Sequence, residues 1–150
     1  MSGNQELKTI VQARLKTVNT LIEAKDWDCA ALMMGQVLEC ALKAVVCKTL
    51  NLTQYPANTR NPHTDNFFMT HKFDQLLLAS GMSDIFNLQN PIDKVFQNWS
   101  EFTKEYHSEW PTMRYIANNQ FDEIKVKKLL DNLANDEKSI LGIIKELNRW

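Results

Sequence analysis

Asp26-Trp-Asp-Cys-Ala-Ala-Leu-Met-Met-Gly-Gln-Val-Leu-Glu-Cys-Ala-Leu-Lys-Ala-Val-Val-Cys-Lys-Thr-Leu50 is helical by pattern and apolar around most of its circumference. At 100° per residue, Ala30, Met34, Leu38, Ala41 and Val45 share one face. The opposite face carries Gln36, Cys40, Lys43 and Cys47, with Glu39 beside them, rather than the charged surface of an outer helix. A helix so apolar on both sides belongs at the centre of a bundle, with other helices packed around it. The narrow polar stripe of Gln36, Glu39 and Lys43 then requires partners. Asp26 or Asp28 can cap this helix by accepting its free amide protons.

The segment before it, residues 5–24, places Leu7, Ile10, Val11, Leu15, Val18, Leu21 and Ile22 on one helical stripe. Arg14 lies along that stripe and is read as a long side chain reaching out from its edge. The short link to the second helix makes the two an antiparallel hairpin.

At 150 residues, with 44% hydrophobic residues and only four glycines and four prolines, the chain fits a single helical domain with a real core. A net charge of −1 provides no overall attraction to nucleic acid or to an anionic membrane. Three cysteines on one helix and no signal-like leader point to reduced thiols and a cytoplasmic protein. No uninterrupted apolar run approaches the roughly 20 residues of a membrane span.

Beyond Leu52 the periodicity stops, and residues 53–70 read as a long loop in which Arg60 and His63 are solvated. Residues 71–81 predict a short helix ended by Gly81. A further helix is expected to start near Pro91 and to bury Ile92, Val95, Phe96, Trp99, Phe102, Tyr106 and Trp110, with Pro111 limiting it. That aromatic stripe has core spacing and lacks the interleaved arginines of a base-stacking platform. From Phe121 a helical pattern runs to the C-terminus, with Val126, Leu133, Ile140 and Leu147 seven residues apart. Asp136 and Glu137 interrupt it, so either the helix breaks there or its polar middle faces solvent or a partner. The expectation is an all-α bundle of four longer helices plus a short one.

There is no glycine-rich phosphate loop, Gly-x-Ser-x-Gly, His-Glu-x-x-His or Cys-x-x-Cys motif. Three histidines separated by loops do not make a metal set, and no metal or cofactor is expected. Three pieces in order nevertheless form a pattern: Gln36-Val-Leu-Glu39-Cys-Ala-Leu-Lys43-Ala, then Thr70-His71-Lys-Phe-Asp-Gln-Leu-Leu, then Trp110-Pro-Thr-Met-Arg114-Tyr115 before the last helical segment. Together they resemble the HEPN domains, helical bundles named for prokaryotic and higher-eukaryotic nucleotide-binding proteins.

Ribonuclease members of that family carry an arginine followed, after four to six residues, by a histidine. The pair acts on the RNA 2′-hydroxyl and scissile phosphate without metal. Here Arg114 is followed by Tyr115-Ile-Ala-Asn-Asn-Gln-Phe, and no histidine occurs after His107. The resemblance therefore implies a non-catalytic binding or regulatory module, with a nucleotide or RNA as ligand, in a toxin–antitoxin or phage-defence setting. It also implies a homodimer and a nucleotidyltransferase-type protein partner. Gln36, Glu39, Lys43, His71, Arg114 and Tyr115 form the expected polar cluster, in which Glu39 and Lys43 pair with Arg114 or His71 across the bundle or contact the ligand. Two alternatives stand beside this reading: a metal-independent ribonuclease using His107 and Arg114 in reversed order, and a structural dimerisation domain built on the last helix.

Overall fold

A computed structural model describes residues 3–55, 59–87, 92–107, 109–115 and 120–150 of the chain. The first two helices, α1 (Asn4–Glu23) and α2 (Trp27–Thr49), form the expected antiparallel hairpin. Lys25 turns the chain between them with a left-handed φ of 60°. Asp26 caps α2, its carboxylate accepting the backbone N–H of Cys29 at 3.3 Å. Asp28 has another task, accepting the backbone N–H of Phe121 at 2.9 Å and so fixing where the last helical segment begins. At the other end of the hairpin, Asn4 Nδ2 donates to the carbonyl of Ala44. Leu7, Val11 and Val18 are buried on α1, whereas Arg14 is exposed at the edge of the stripe.

α2 is the central element, packed by α1, by helices on two further sides and by the turn that carries Arg114. Ala30, Met34, Val37, Leu38, Ala41, Leu42 and Val45 have no exposed surface at all. By length and composition α2 is apolar enough to cross a membrane, since one 18-residue window averages a hydropathy of 1.6 despite Glu39 and Lys43. Glu39 and Lys43 still interrupt the apolar run, and 67% of the window is buried inside the bundle. Packing against other helices accounts for its apolar character.

Residues 53–70 are not one long loop. Asn61 caps a helix, α3 (Pro62–Phe68), by accepting the N–H groups of His63 and Thr64, with Pro62 in the favoured first position. Because α3 buries none of its residues, it has no apolar period, which is why the pattern alone missed it. Tyr55 fixes its far end, donating its hydroxyl to the carbonyl of Phe68. α4 (Phe73–Ser80) ends as expected at Gly81, whose φ of 73° suits a residue without Cβ. A single turn, α5 (Ser83–Phe86), follows and buries Phe86.

The aromatic helix is shorter than its stripe. α6 (Lys94–Thr103) is capped by Asp93, which accepts from Val95 and Phe96; the expected start at Pro91 lies outside the described residues. Ile92 precedes the cap and is 83% exposed, so it is not part of the core. Trp99, Phe102, Tyr106 and Trp110 are buried as expected, but Tyr106 and Trp110 lie beyond the helix end. Pro111 does not limit α6; it sits inside a 3-10 turn (Trp110–Tyr115). Tyr106 anchors this region by donating its hydroxyl to the carbonyl of Ala31 at 2.6 Å.

The final pattern is broken, the first of the two outcomes the sequence allowed. α7 (Glu123–Leu130) passes into a π-helical turn (Asp131–Asn135), a bend at Asp136, and then α8 (Ile140–Glu146). Ser139 caps α8 through the N–H of Gly142 at 3.1 Å. Thus the bundle of four longer helices plus a short one is revised: among the described residues only α1 and α2 exceed 10 residues, and eight α-helices are present. The all-α class holds.

Candidate functional site

The polar stripe of α2 meets the turn before α4 and the 3-10 turn in a cleft of about 250 Å³. Leu32, Met33, Gln36, Glu39 and Cys40 line it from α2, His71 from the segment before α4, and Trp110, Pro111 and Arg114 from the 3-10 turn. Four of the six expected cluster residues therefore converge on one concavity from three separated stretches of chain. Lys43 and Tyr115 do not line it.

Glu39 organises the floor. It is only 8% exposed, and its carboxylate accepts Lys43 Nζ at 2.6 Å and His71 Nδ1 at 2.9 Å to both oxygens. A carboxylate nearly removed from water needs such compensation, because an unpaired buried charge costs several kcal/mol. Since the carboxylate can only accept, Nδ1 of His71 carries the proton. This pairing answers what the stripe is for: Glu39 and Lys43 bond to each other, and His71, rather than Arg114, is the partner across the bundle. The Lys43 ammonium also lies over the Tyr55 ring, 5.2 Å from its centroid. Tyr55 in turn donates to the carbonyl of Phe68, so the same network ties α2 to the end of α3.

Trp110 forms the apolar wall. Its indole N–H donates to the carbonyl of His71 at 2.9 Å, joining the 3-10 turn to the segment before α4. Its ring packs so closely on α2 that a Cβ added to Gly35 would stand 2.9 Å from it. Only the absence of a side chain at Gly35 admits that approach. Phe73 stacks on Trp110, with ring centroids 5.8 Å apart. Burial pushes the Cys40 thiol up, so near neutral pH it is a protonated, unreactive part of the wall.

Arg114 stands at the mouth and is exposed. Its guanidinium lies 5.0 Å from the centroid of the Tyr115 ring, itself 78% exposed, and pairs with no carboxylate among the described residues. A planar five-donor cation without an acid partner is suited to a phosphate or carboxylate ligand. His107 is elsewhere. It lines a separate cleft between α4 and α6, and its Nδ1 accepts the backbone N–H of Glu109 at 3.0 Å. The two residues of the alternative catalytic pair thus open onto different cavities.

Leu32, Met33, Cys40, Trp110 and Pro111 line the cleft without having been singled out for it. Trp110 fits the aromatic core stripe equally well, and the aliphatic residues carry no polar signal, so nothing in the sequence separated them from ordinary core. Among the described residues no group of three or more His, Cys, Asp or Glu side chains has the placement to hold a metal ion. No protein-family model, curated protein or solved structure matches this chain.

Proposed function

We propose that this chain is a HEPN-like binding module that holds a nucleotide or the end of an RNA strand in the cleft beside α2. The observation that supports this most is the convergence of Gln36, Glu39, His71 and Arg114 on that one cleft. The Arg114 guanidinium, which pairs with no carboxylate among the described residues, takes the phosphate, while the Gln36 amide and the His71 imidazole supply donors and acceptors for the base or sugar. Leu32, Met33 and the edge of Trp110 give the apolar contact that a base requires. In this reading the module is cytoplasmic, works as a homodimer beside a nucleotidyltransferase-type partner, and belongs to a toxin–antitoxin or phage-defence system.

The experiment is equilibrium binding of fluorescently labelled RNA and of a nucleoside triphosphate to the wild type and to Arg114→Ala. Loss of one charge-assisted phosphate contact should weaken binding about tenfold or more, at roughly 1.5–3 kcal/mol. Unchanged binding with an intact helical signal removes Arg114 from the site.

One observation favours a second, catalytic reading with a different histidine. His71 is oriented by Glu39 through Nδ1, the arrangement that readies the other ring nitrogen as a general base, and it shares its cleft with Arg114. RNA cleavage that survives chelator and disappears in His71→Ala, but not in His107→Ala, would make the module a metal-independent ribonuclease.

A further inference from the structure

The second cleft, between α4 and α6, has about 350 Å³ and a different composition. One side is aromatic: Phe96, Trp99, Phe73 and Tyr106 line it, with Trp99 held in place against Phe86 at a centroid distance of 5.1 Å. The other groups around it are mainly cationic or donating. Lys72 enters from the residue before α4, Lys104 from the end of α6, and His107 from the following turn.

The carboxylates beside Lys104 in the chain are engaged elsewhere. Glu105 pairs with Lys125 at 3.4 Å, and Glu101 takes Lys128 and the Asn132 amide. Neither Lys72 nor Lys104 has an ion-pair partner among the described residues. Because His107 Nδ1 accepts the Glu109 N–H, the ring proton sits on Nε2, leaving that nitrogen as a further donor. Among the described residues of the lining the only carboxylate is Asp74, in the first turn of α4, where the helix dipole favours it. The hydroxyls of Ser100 and Thr103 donate back to the carbonyls of Gln97 and Trp99 and so offer a ligand only their lone pairs. Two unpaired ammonium groups against one carboxylate leave the cleft positive, in a chain whose net charge is −1.

We propose that this cleft is a second ligand site, distinct from the one beside α2, for a small aromatic anion: a planar ring joined to a phosphate, sulfonate or carboxylate. The ring packs on the Phe96 and Trp99 side, and the anionic group meets Lys72 and Lys104 at the rim. The volume fits a one-ring ligand and lies at the lower end for small-molecule sites.

The test uses the full chain, labelled with nitrogen-15, and phenyl phosphate as the probe. Titration should produce saturable shifts at the Trp99 indole N–H and the backbone amides of Phe73 to Gln75. Lys72→Ala and Lys104→Ala, both rim substitutions that leave the aromatic core intact, should each weaken binding about two- to fivefold, the worth of one exposed ion pair. Lys104→Glu should weaken it further, and Arg114→Ala should leave it unchanged. Inorganic phosphate and benzyl alcohol, each carrying half of the ligand, should bind more weakly than phenyl phosphate. Absence of saturable shifts, shifts confined to residues beside α2, equal binding of either half-ligand, or indifference to the lysine variants would each overturn the proposal. Because Arg114→Ala bears only on the α2 cleft, failure of that reading and failure of this one give different results.

Discussion

α2 runs unbroken for 23 residues, whereas the stretch from Glu123 to Glu146 divides into α7, a π turn, a bend and α8. Both bury an apolar stripe on the same core. They differ in what their polar residues do. On α2, Glu39 and Lys43 lie four residues apart and satisfy each other without disturbing the helical ladder, and His71 completes the set from outside. In the later segment, Asn132 is turned inward and 1% exposed. Its amide donates to Asn98 Oδ1 at 2.9 Å and to Glu101 at 3.0 Å, while Asn98 donates onward to the carbonyl of Lys138 at 2.8 Å. That chain of bonds crosses the break and holds the π turn and the bend against α6. Polar residues that pair along a helix leave it whole, and polar residues that pair across helices can stop it.

The largest contrast comes from two leucines. Leu38 is fully buried at the centre of α2, whereas Leu147, although it occupies a seven-residue repeat position, is 45% exposed. Leu38→Ala should cost about 2–5 kcal/mol and Leu147→Ala under about 0.5 kcal/mol, measured by urea unfolding. Equal costs would mean that the last segment packs as one continuous heptad helix after all. Asn98→Ala should be next, at roughly 1–3 kcal/mol, because it strands the Lys138 carbonyl and part of the Asn132 amide inside the protein. Amide exchange in 131–139 should quicken in that variant while α2 keeps its protection.

The smallest effect is one of pH. The backbone N–H of Lys138 donates to Asp136 and, with the Lys94 charge, holds its carboxyl below the usual value of 3.8 despite partial burial. A carboxyl whose folded value is depressed adds stability above its unfolded value and loses it as pH falls through the folded one. The bend should therefore loosen in acid below about pH 3.8, and Asp136→Ala should flatten that part of the stability profile. A profile unchanged by the substitution would remove Asp136 from the account of the break.

What could be read beforehand follows the same division. The stripe from Ala30 to Val45 identified α2 and its central position, and the pair Asp26 and Asp28 marked its start without deciding which of them caps it, because burial and capping both leave local signals. The break near Asp136 was legible only as an alternative, since the partner of Asn132 is 34 residues away in the chain. α3 left no apolar period because none of its residues is fully buried, Phe68 alone packing in part against the core. At the cleft, the resemblance pointed to Gln36, Glu39, Lys43, His71, Arg114 and Tyr115, of which all but Lys43 and Tyr115 line the concavity. Which of His71 and Arg114 would reach Glu39 depended on how the turn before α4 lies over α2. That turn is set by the Trp110 N–H to the His71 carbonyl and by the space at Gly35, neither of which carries a sequence pattern.

The central claim is that the cleft joining α2, His71 and the 3-10 turn receives the ligand. Chemical-shift mapping of the nitrogen-15 labelled chain during titration with a nucleoside triphosphate tests it most directly. The account predicts saturable shifts at Gln36, Glu39, Cys40, His71, the Trp110 indole and Arg114, with the C-terminal break unaffected and all of them much reduced in Arg114→Ala. Saturable binding whose shifts avoid these residues, or no binding by nucleotide or RNA at all, would contradict it.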